Sequence, residues 1–574
     1  MVFNSATLRA IKPGALRGWG VGWLLFWVTL IYHPVLGYDF VFWDDNINLM
    51  LNPLLHQDWS WSGALGFFWG ADGSVRFKPL HWLLLRVWHG WFGFEAWAWH
   101  ALGFILHGSS AVLAYVVVGR LYRRLFPVAG SRLADVVALL GVTIWLAHPL
   151  RVEPVAWVTG SAYPFATVFT LGSLGLYLRS VEAAGRRRRW FWIGAWLMAI
   201  CAYCSYSITL TLGLFLMVLD VLWLRIAPAC WWNPRHPESR AWWGRHLAFV
   251  LPAVLALAVT LMSKGLSGGR FPKSQPLSAF SDFGERIETG AASLASFPLK
   301  LFFPFDLTSF GSPVLDRGTW IGIGILALVV LPAAFWLARA LRSQIAGLAS
   351  FYVGFGVLAL PCLGLTEVPI MPPDRYSYLV DLVLVGGLGG LLLFNHARFF
   401  AGWRWVAGGV CACVFLLCCL SSSRLLPVWR DTDTLFTHMT AGDSLGLPMQ
   451  RTLIYRNWSY YAVSKGRPDE AAAHVSKALQ IYRDEILNLV IEGNQRRAVY
   501  FTKCQLEDYG FTFFRHVTPL WWCENLGLSD ADLPRVQRIF DTVGDDVEII
   551  KQLCALKCPP PTVPDTYTTE LIVP

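Results

Sequence analysis

Charge is what this 574-residue chain has least of: charged residues make up 15% of it, against about 25% in an ordinary soluble domain. Hydrophobic residues make up 55%, with 30 Trp and 37 Phe, and the mean hydropathy is +0.46. So little polar material cannot cover so much apolar surface, which excludes a disordered chain, a small disulfide scaffold and most soluble enzymes. Several short signatures are also missing. There is no Walker A loop, no dinucleotide glycine fingerprint and no HExxH, so nucleotide-driven chemistry and zincin-type hydrolysis lack support. What remains is a polytopic, all-α membrane protein.

Apolar runs cover roughly 19–36, 97–118, 135–150, 161–178, 190–206, 208–224, 247–263, 318–338, 346–365, 377–394 and 403–421. Each is about long enough to cross ~30 Å of hydrocarbon as a helix, which predicts about eleven spans. Acids are scarce in alternate connections. Residues 1–18, 119–134, 179–189, 225–246, 339–345 and 395–404 together hold 20 Lys and Arg but only Glu182 and Glu238, a net of +18 within a chain of net +9. That asymmetry is the positive-inside pattern, and it predicts a cytoplasmic N-terminus. An odd number of spans then puts everything after about residue 421 on the other side. The basicity records topology, and no nucleic-acid partner is expected. The first span is preceded by Arg9, Lys12 and Arg17 and is followed by no small-residue cleavage site, so it reads as a retained anchor.

The expected divisions are a membrane domain over 1–421, an outer helical region over 422–500 and a cysteine-containing extension over 501–574. The first outer loop, 37–96, is long, and its second half, 79–94, reads as a helix lying in the membrane interface. The stretch 285–305 is half-hydrophobic and is expected to dip without crossing. Residues 451–484 read as one helical pair with tetratricopeptide-like spacing, Gly466 in the turn, capped by helices near 485–500 and 530–555. The tail from 559 to 574 is Pro/Thr-rich. Eight of the 12 cysteines lie in or beside spans and read as small packing residues. Cys504, Cys523, Cys554 and Cys558 lie in the outer region, where at least one disulfide is expected; zinc held by Cys554 and Cys558 is the competitor.

Candidate chemistry sits at the outer ends of the spans. Asp44 and Asp45 follow the aromatic run Phe40-Val41-Phe42-Trp43. Paired acids there could supply a general base and a group that holds substrate or a cation, or simply cap a helix. His148, Arg151 and Glu153 fall within six residues, and Asp374, Arg375 and Tyr376 stand at the mouth of a later span. A guanidinium there could clamp a lipid-linked phosphate, and Lys264, Arg270 and Lys273 add positive charge on the same side.

Segments 37–53 (GYDFVFWDDNINLMLNP), 78–82 (KPLHW), 99–113, 148–158 (HPLRVEPVAWV), 297–307, 361–379 (PCLGLTEVPIMPPDRYSYL) and 428–438 (VWRDTDTLFTH) together resemble the GT-C glycosyltransferases. The resemblance is to the branch with C-terminal tetratricopeptide repeats, whose animal members are protein O-mannosyltransferases, and to its bacterial relatives. It runs in family order over about 37–485. It implies transfer of a sugar from a polyprenyl-phosphate donor to an acceptor hydroxyl on a protein or glycan, at the outer leaflet, with inversion. Asp44 matches the first-loop acid and Asp45 its neighbour, Arg375 fits neutralisation of the leaving phosphate, and Arg151 and Lys264 could assist. His148, Glu153, Asp374 and Tyr376 would line the cavity. Family members differ in their need for a divalent metal, and no residue pattern here selects one.

The chain also departs from the family. Bacterial relatives continue from His-Pro-Leu into a charged Glu-Arg-Lys-Asp run, where this chain has Gly160-Ser161-Ala162-Tyr163. Relatives carry Lys after the fifth span, where this chain has Tyr206. Two alternatives therefore stand beside transfer: an inactive scaffold that binds through its repeat region, and a transporter or flippase for a lipid-linked sugar.

The charge asymmetry makes a direct prediction. A compartment-specific reporter fused after Ser423 should be active only outside the cytoplasm, and cytoplasmic activity there would overturn the N-in, C-out assignment.

Overall fold

The computed structural model describes residues 13–50, 52–56, 59–69, 77–233, 235–266, 283–304, 307, 342–363, 374–395, 404–441 and 448–481. Among them all regular structure is helical and no strand occurs. The first-loop elements follow α1 (Pro13–Tyr32): short turns at Pro53–His56 and Trp61–Gly66, then α2 (Pro79–Phe92). The bundle continues through α3 (Ala96–Leu125), α4 (Ser131–Ala147), α5 (Val152–Ala156), α6 (Ala162–Glu182), α7 (Gly185–Ser205), α8 (Leu212–Val218) and α9 (Pro237–Leu266). After α10 (Phe283–Phe302) come α11 (Arg342–Ala359), α12 (Ser377–Phe394) and α13 (Arg404–Leu425). Three further helices follow: α14 (Thr432–Thr440), α15 (Pro448–Ser464) and α16 (Pro468–Ile481).

Helices occupy every apolar run of the sequence except 318–338, which lies outside the described residues. Five segments are long and apolar enough to cross a membrane: Ala15–Gly37, Ala96–Leu125, Pro237–Thr260, Asp374–Phe394 and Trp405–Trp429. A sixth is added if Ser131–Ala147 and Pro149–Ala156, bent by 64°, form one broken span. This is the make-up of a multi-pass membrane protein. The bend has a local cause: Pro149 offers no N–H to continue α4, and His148 before it is extended, at φ −67 and ψ 136. The helix α10 is not among the long apolar helices. Cys504, Cys523, Cys554 and Cys558, and the expected capping helices, lie outside the described residues; every described cysteine is a free thiol.

Small residues let the helices approach. A Cβ on Gly103 of α3 would fall 2.8 Å from the Val155 carbonyl of α5, and one on Gly389 of α12 would meet the Tyr122 hydroxyl. That hydroxyl donates to the Gly386 carbonyl at 2.6 Å. Hydroxyls do similar work, since Ser173 of α6 donates to the Ala195 carbonyl of α7 at 2.8 Å. The helix α2 differs from a simple amphipathic helix. Its buried face carries His81 and Arg86 beside Trp82 and Leu85, while Trp91 is exposed. His81 Nε2 meets Ser161 Oγ at 3.0 Å, which draws α2 onto the start of α6.

The last helices fold back on the first loop. Asp431 caps α14 by accepting from the Thr434 N–H, with the Thr434 hydroxyl returning to the Asp431 backbone. The hairpin of α15 and α16 turns at Gly466, whose φ of +71 suits glycine. Tyr461 of α15 meets Phe42 with ring centroids 5.1 Å apart. Asp39 N–H donates to the Arg430 carbonyl at 2.9 Å, and Phe42 N–H to Thr432 Oγ1 at 3.0 Å.

One ion pair at the centre binds α4, α5 and α12. Arg151 is fully buried and donates to Asp381 Oδ2 at 2.5 Å, Ser377 Oγ at 2.8 Å and the Tyr378 carbonyl at 2.7 Å. Arg151→Met would leave the Asp381 carboxylate buried without its cation, at a cost of about 3–5 kcal/mol. Thermal unfolding of detergent-solubilised protein should show a large drop for Arg151→Met and substantial recovery when Asp381→Leu is added. A single variant as stable as wild type would refute this account of the pair.

Candidate active site

The first loop begins as chain that cannot leave the protein. Phe40, Val41, Phe42 and Trp43 are all buried, and Asp44 follows half-buried. Asp45 is 1% exposed. Its Oδ1 accepts from the Thr159 N–H at 3.0 Å and the Thr159 hydroxyl at 2.7 Å, and its Oδ2 accepts from the Val41 N–H at 3.1 Å. Burial nevertheless dominates and pushes the Asp45 carboxyl up to about 7, against the pull of those three donors. Asp45 therefore fastens the first loop to the segment between α5 and α6, and it fixes where Asp44 stands.

The same segment reaches the third group of candidates. Glu153 on α5 takes Arg375 by two routes, Nη1 to Oε1 at 2.6 Å and the backbone N–H to Oε2 at 3.1 Å. Arg375 Nε donates to the Tyr163 hydroxyl at 3.1 Å. The guanidinium also lies over the Trp157 ring, 5.1 Å from its centroid. The Tyr163 and Tyr206 hydroxyls are 3.2 Å apart. Tyr206 and Tyr163, the last residue of the uncharged stretch 160–163, are thus in contact, and Tyr163 touches Arg375. The neighbouring Asp374 pairs with Lys300 of α10 at 2.5 Å, and the Tyr376 ring lies 5.8 Å from that of Tyr163.

The structure brings Asp45, Glu153, Asp374, Arg375 and Tyr376 to one end of the bundle, around residues 151–163. Two other candidates are differently employed. Arg151 has no accessible surface and holds α12, whereas the Arg375 side chain keeps 12%. His148 accepts from the Leu150 N–H at its Nδ1, so its Nε2 carries the proton and donates to the Leu301 carbonyl at 3.0 Å. It ties α10 to the α4–α5 bend. Lys264 lies in the last turn of α9 with its side chain outside the described residues, as are Arg270 and Lys273.

Sequence reasoning missed four partners: Thr159, Lys300, Tyr163 and Asp381. Asp381 had a signal, being an acid inside an apolar run. Thr159 had none, because its role is defined by a residue 114 positions away.

A carboxylate that already receives three hydrogen bonds has N–H and O–H donors where a cation would sit, so Asp45 in this arrangement does not fit a metal ligand. Among the described residues, the group of His, Cys and acidic side chains close enough to share an ion is Cys230, His236 and Glu238. It lies between α8 and α9, at the opposite end of the bundle.

The raised pKa of Asp45 has a sign. Burial favours the protonated form in the folded state, so its contribution to stability is present below about pH 4, the unfolded value, and is lost as pH rises through about 7. The thermal midpoint of wild type should therefore gain on that of Asp45→Asn as pH falls from about 8 to 5. A difference that is constant with pH, or that shrinks on acidification, would contradict the buried carboxyl.

Comparison with known proteins agrees with the sequence pattern. The chain is 28% identical over 239 residues to mouse protein O-mannosyl-transferase TMTC4, covering 39% of this chain and 32% of the relative. It is 29% identical over 183 residues to mouse protein O-mannosyl-transferase TMTC2 and 28% over 187 to the human protein, each match covering 30% of this chain and 20% of the relative. The chain thus matches a third or less of the length of these curated relatives. No family model and no solved structure matches it. The resemblance is therefore to the protein O-mannosyl-transferases of the TMTC branch.

Proposed function

We propose that this chain is a GT-C-type membrane glycosyltransferase with about eleven spans, N-terminus in the cytoplasm and the candidate site on the opposite face. It would move a sugar from a polyprenyl phosphate to a protein or glycan hydroxyl, with the α15–α16 hairpin acting as a tetratricopeptide-like acceptor platform. The observation that carries the reading is the shared anchor. Asp45 and Arg375, 330 positions apart in the chain, are both held by residues 153–163. A base beside Asp45 and a phosphate partner at 375 are what transfer from a phosphate-linked sugar requires.

In this mechanism Asp44 takes the proton as the acceptor oxygen bonds to the anomeric carbon. The bond from that carbon to the phosphate oxygen breaks, and the electron pair leaves with the phosphate. Arg375 offsets the phosphate charge, so the leaving group needs no proton. Attack from the face opposite the phosphate inverts the anomeric centre. Asp45 acts as a positioning residue for Asp44. The relatives named as protein O-mannosyl-transferases favour mannose as the sugar.

A second reading, an inactive binding scaffold, has its own observation. Arg375 already bonds Glu153 and Tyr163, and Tyr163 and Tyr206 stand where relatives carry charge. One assay separates the two readings: transfer from synthetic polyprenyl-phosphate sugars by detergent-solubilised protein, with the thermal midpoint of each variant checked. Asp44→Asn should lose at least about a hundredfold in turnover. Arg375→Ala should mainly raise the donor KM, because it removes a phosphate partner and leaves the base. Turnover unaffected by Asp44→Asn would remove Asp44 from the mechanism. No transfer by wild type from any donor in the series, with bound acceptor peptide retained, would establish the scaffold instead.

A further inference from the structure

The end of the bundle away from the candidate active site holds a cavity of ≈300 Å³ lined by Arg17, Arg120, Arg123, Arg124 and Glu182. Helix ends build it: Arg17 opens α1, three arginines close α3 and Glu182 closes α6. Asp135, just past the first turn of α4 and 1% exposed, accepts from Arg17 Nε at 3.2 Å and also from Arg123 Nη1. Glu182 takes Arg120 through Nη2 at 2.5 Å and Nε at 3.1 Å. Two carboxylates thus answer four guanidinium groups. Arg17 and Arg123 share one acid, and Arg124, which is exposed, has no acidic partner among the described residues. The cavity carries a surplus of two positive charges, a demand for an anion.

Its position says which anion. Along α1 from Arg17 the exposed side chains include Trp19, Trp23, Leu25, Phe26 and Leu30, with Trp19 77% exposed. Such a face belongs in hydrocarbon, with tryptophan at its boundary. The cavity therefore opens at headgroup level, beside a surface that acyl chains would cover. It also lies at the ends that the charge asymmetry of the connections assigns to the cytoplasmic leaflet, where anionic lipids attract basic clusters.

We propose that this cavity binds the phosphodiester headgroup of an anionic phospholipid, with Arg17 and Arg124 facing the phosphate and the acyl chains lying along the exposed face of α1. The site is separate from the proposed transfer chemistry and does not depend on it.

Native mass spectrometry of the delipidated full-length protein tests this, with phosphatidylglycerol and phosphatidylcholine of the same acyl composition as probes. Wild type should retain phosphatidylglycerol in clear preference. Arg124→Gln breaks no ion pair, so its fold should hold, and it should weaken that binding roughly fivefold, the effect of one basic residue at a membrane surface. Adding Arg17→Gln should weaken it further by a similar factor. Arg187→Gln, in the exposed arginine run that opens α7, should leave the preference unchanged. Three results would each overturn the proposal: equal binding of the two lipids, displacement of phosphatidylglycerol by millimolar inorganic phosphate, or an effect of Arg187→Gln as large as that of Arg124→Gln.

Discussion

A charge removed from water must find a partner of the other sign or a set of aligned dipoles, and a chain that is 15% charged and mostly apolar can satisfy this at only a few places. Those places fix the arrangement of the helices. Arg151 and Asp381 set the α4–α5 bend against α12, Glu153 and Arg375 set α5 against the turn that opens α12, and Asp135 joins the ends of α1, α3 and α4. Apolar packing alone would let helices slide past one another, since lipid is as apolar as leucine. The buried pairs leave one register in which Arg151 and Arg375 meet their acids.

The same constraint divides the molecule into two polar ends with different characters. At one end Glu153 and Asp374 are paired with cations and Asp45 is held by three hydrogen bonds. At the other end arginines exceed carboxylates. The first end has rings packed against it: Trp157 stacks on Trp429 at 6.0 Å between centroids, and Trp43 meets Phe436 at 6.3 Å. Those rings bring the C-terminal helices over the first loop. The geometry joins the C-terminal helices to the first loop through buried aromatic side chains.

Much of this was legible in the sequence because it rests on local rules. Apolar run length announces the helices, and Gly466 announces the turn of the last hairpin. The pairing of Asp44 with Asp45 is legible as a feature, but the division of labour between them is not. It arises when Thr159 arrives from elsewhere in the chain to occupy one carboxylate. Arg151 and Arg375 look alike in sequence, each a lone guanidinium near the end of a span. Only the fold separates them, by burying the first completely beside Asp381 and leaving part of the second accessible. The residues from 482 onward, with their four cysteines, lie outside what the structure describes.

Tyr163, the last residue of the uncharged stretch 160–163, and Tyr206 look independent in sequence and are one feature in space. Their hydroxyls are 3.2 Å apart and their rings 4.9 Å apart, both buried beside Arg375. A lysine at 206 with a neutral neighbour at 163 would add a second cation near Arg375, beside the bond that Glu153 makes to that guanidinium. An acid at 163 facing a neutral residue at 206 would compete with Glu153 for the guanidinium. Either single change leaves a charge unbalanced in a site with little water, whereas two tyrosines satisfy each other and still offer Arg375 an oxygen. The neutral pair lowers the local charge without breaking the hold on Arg375.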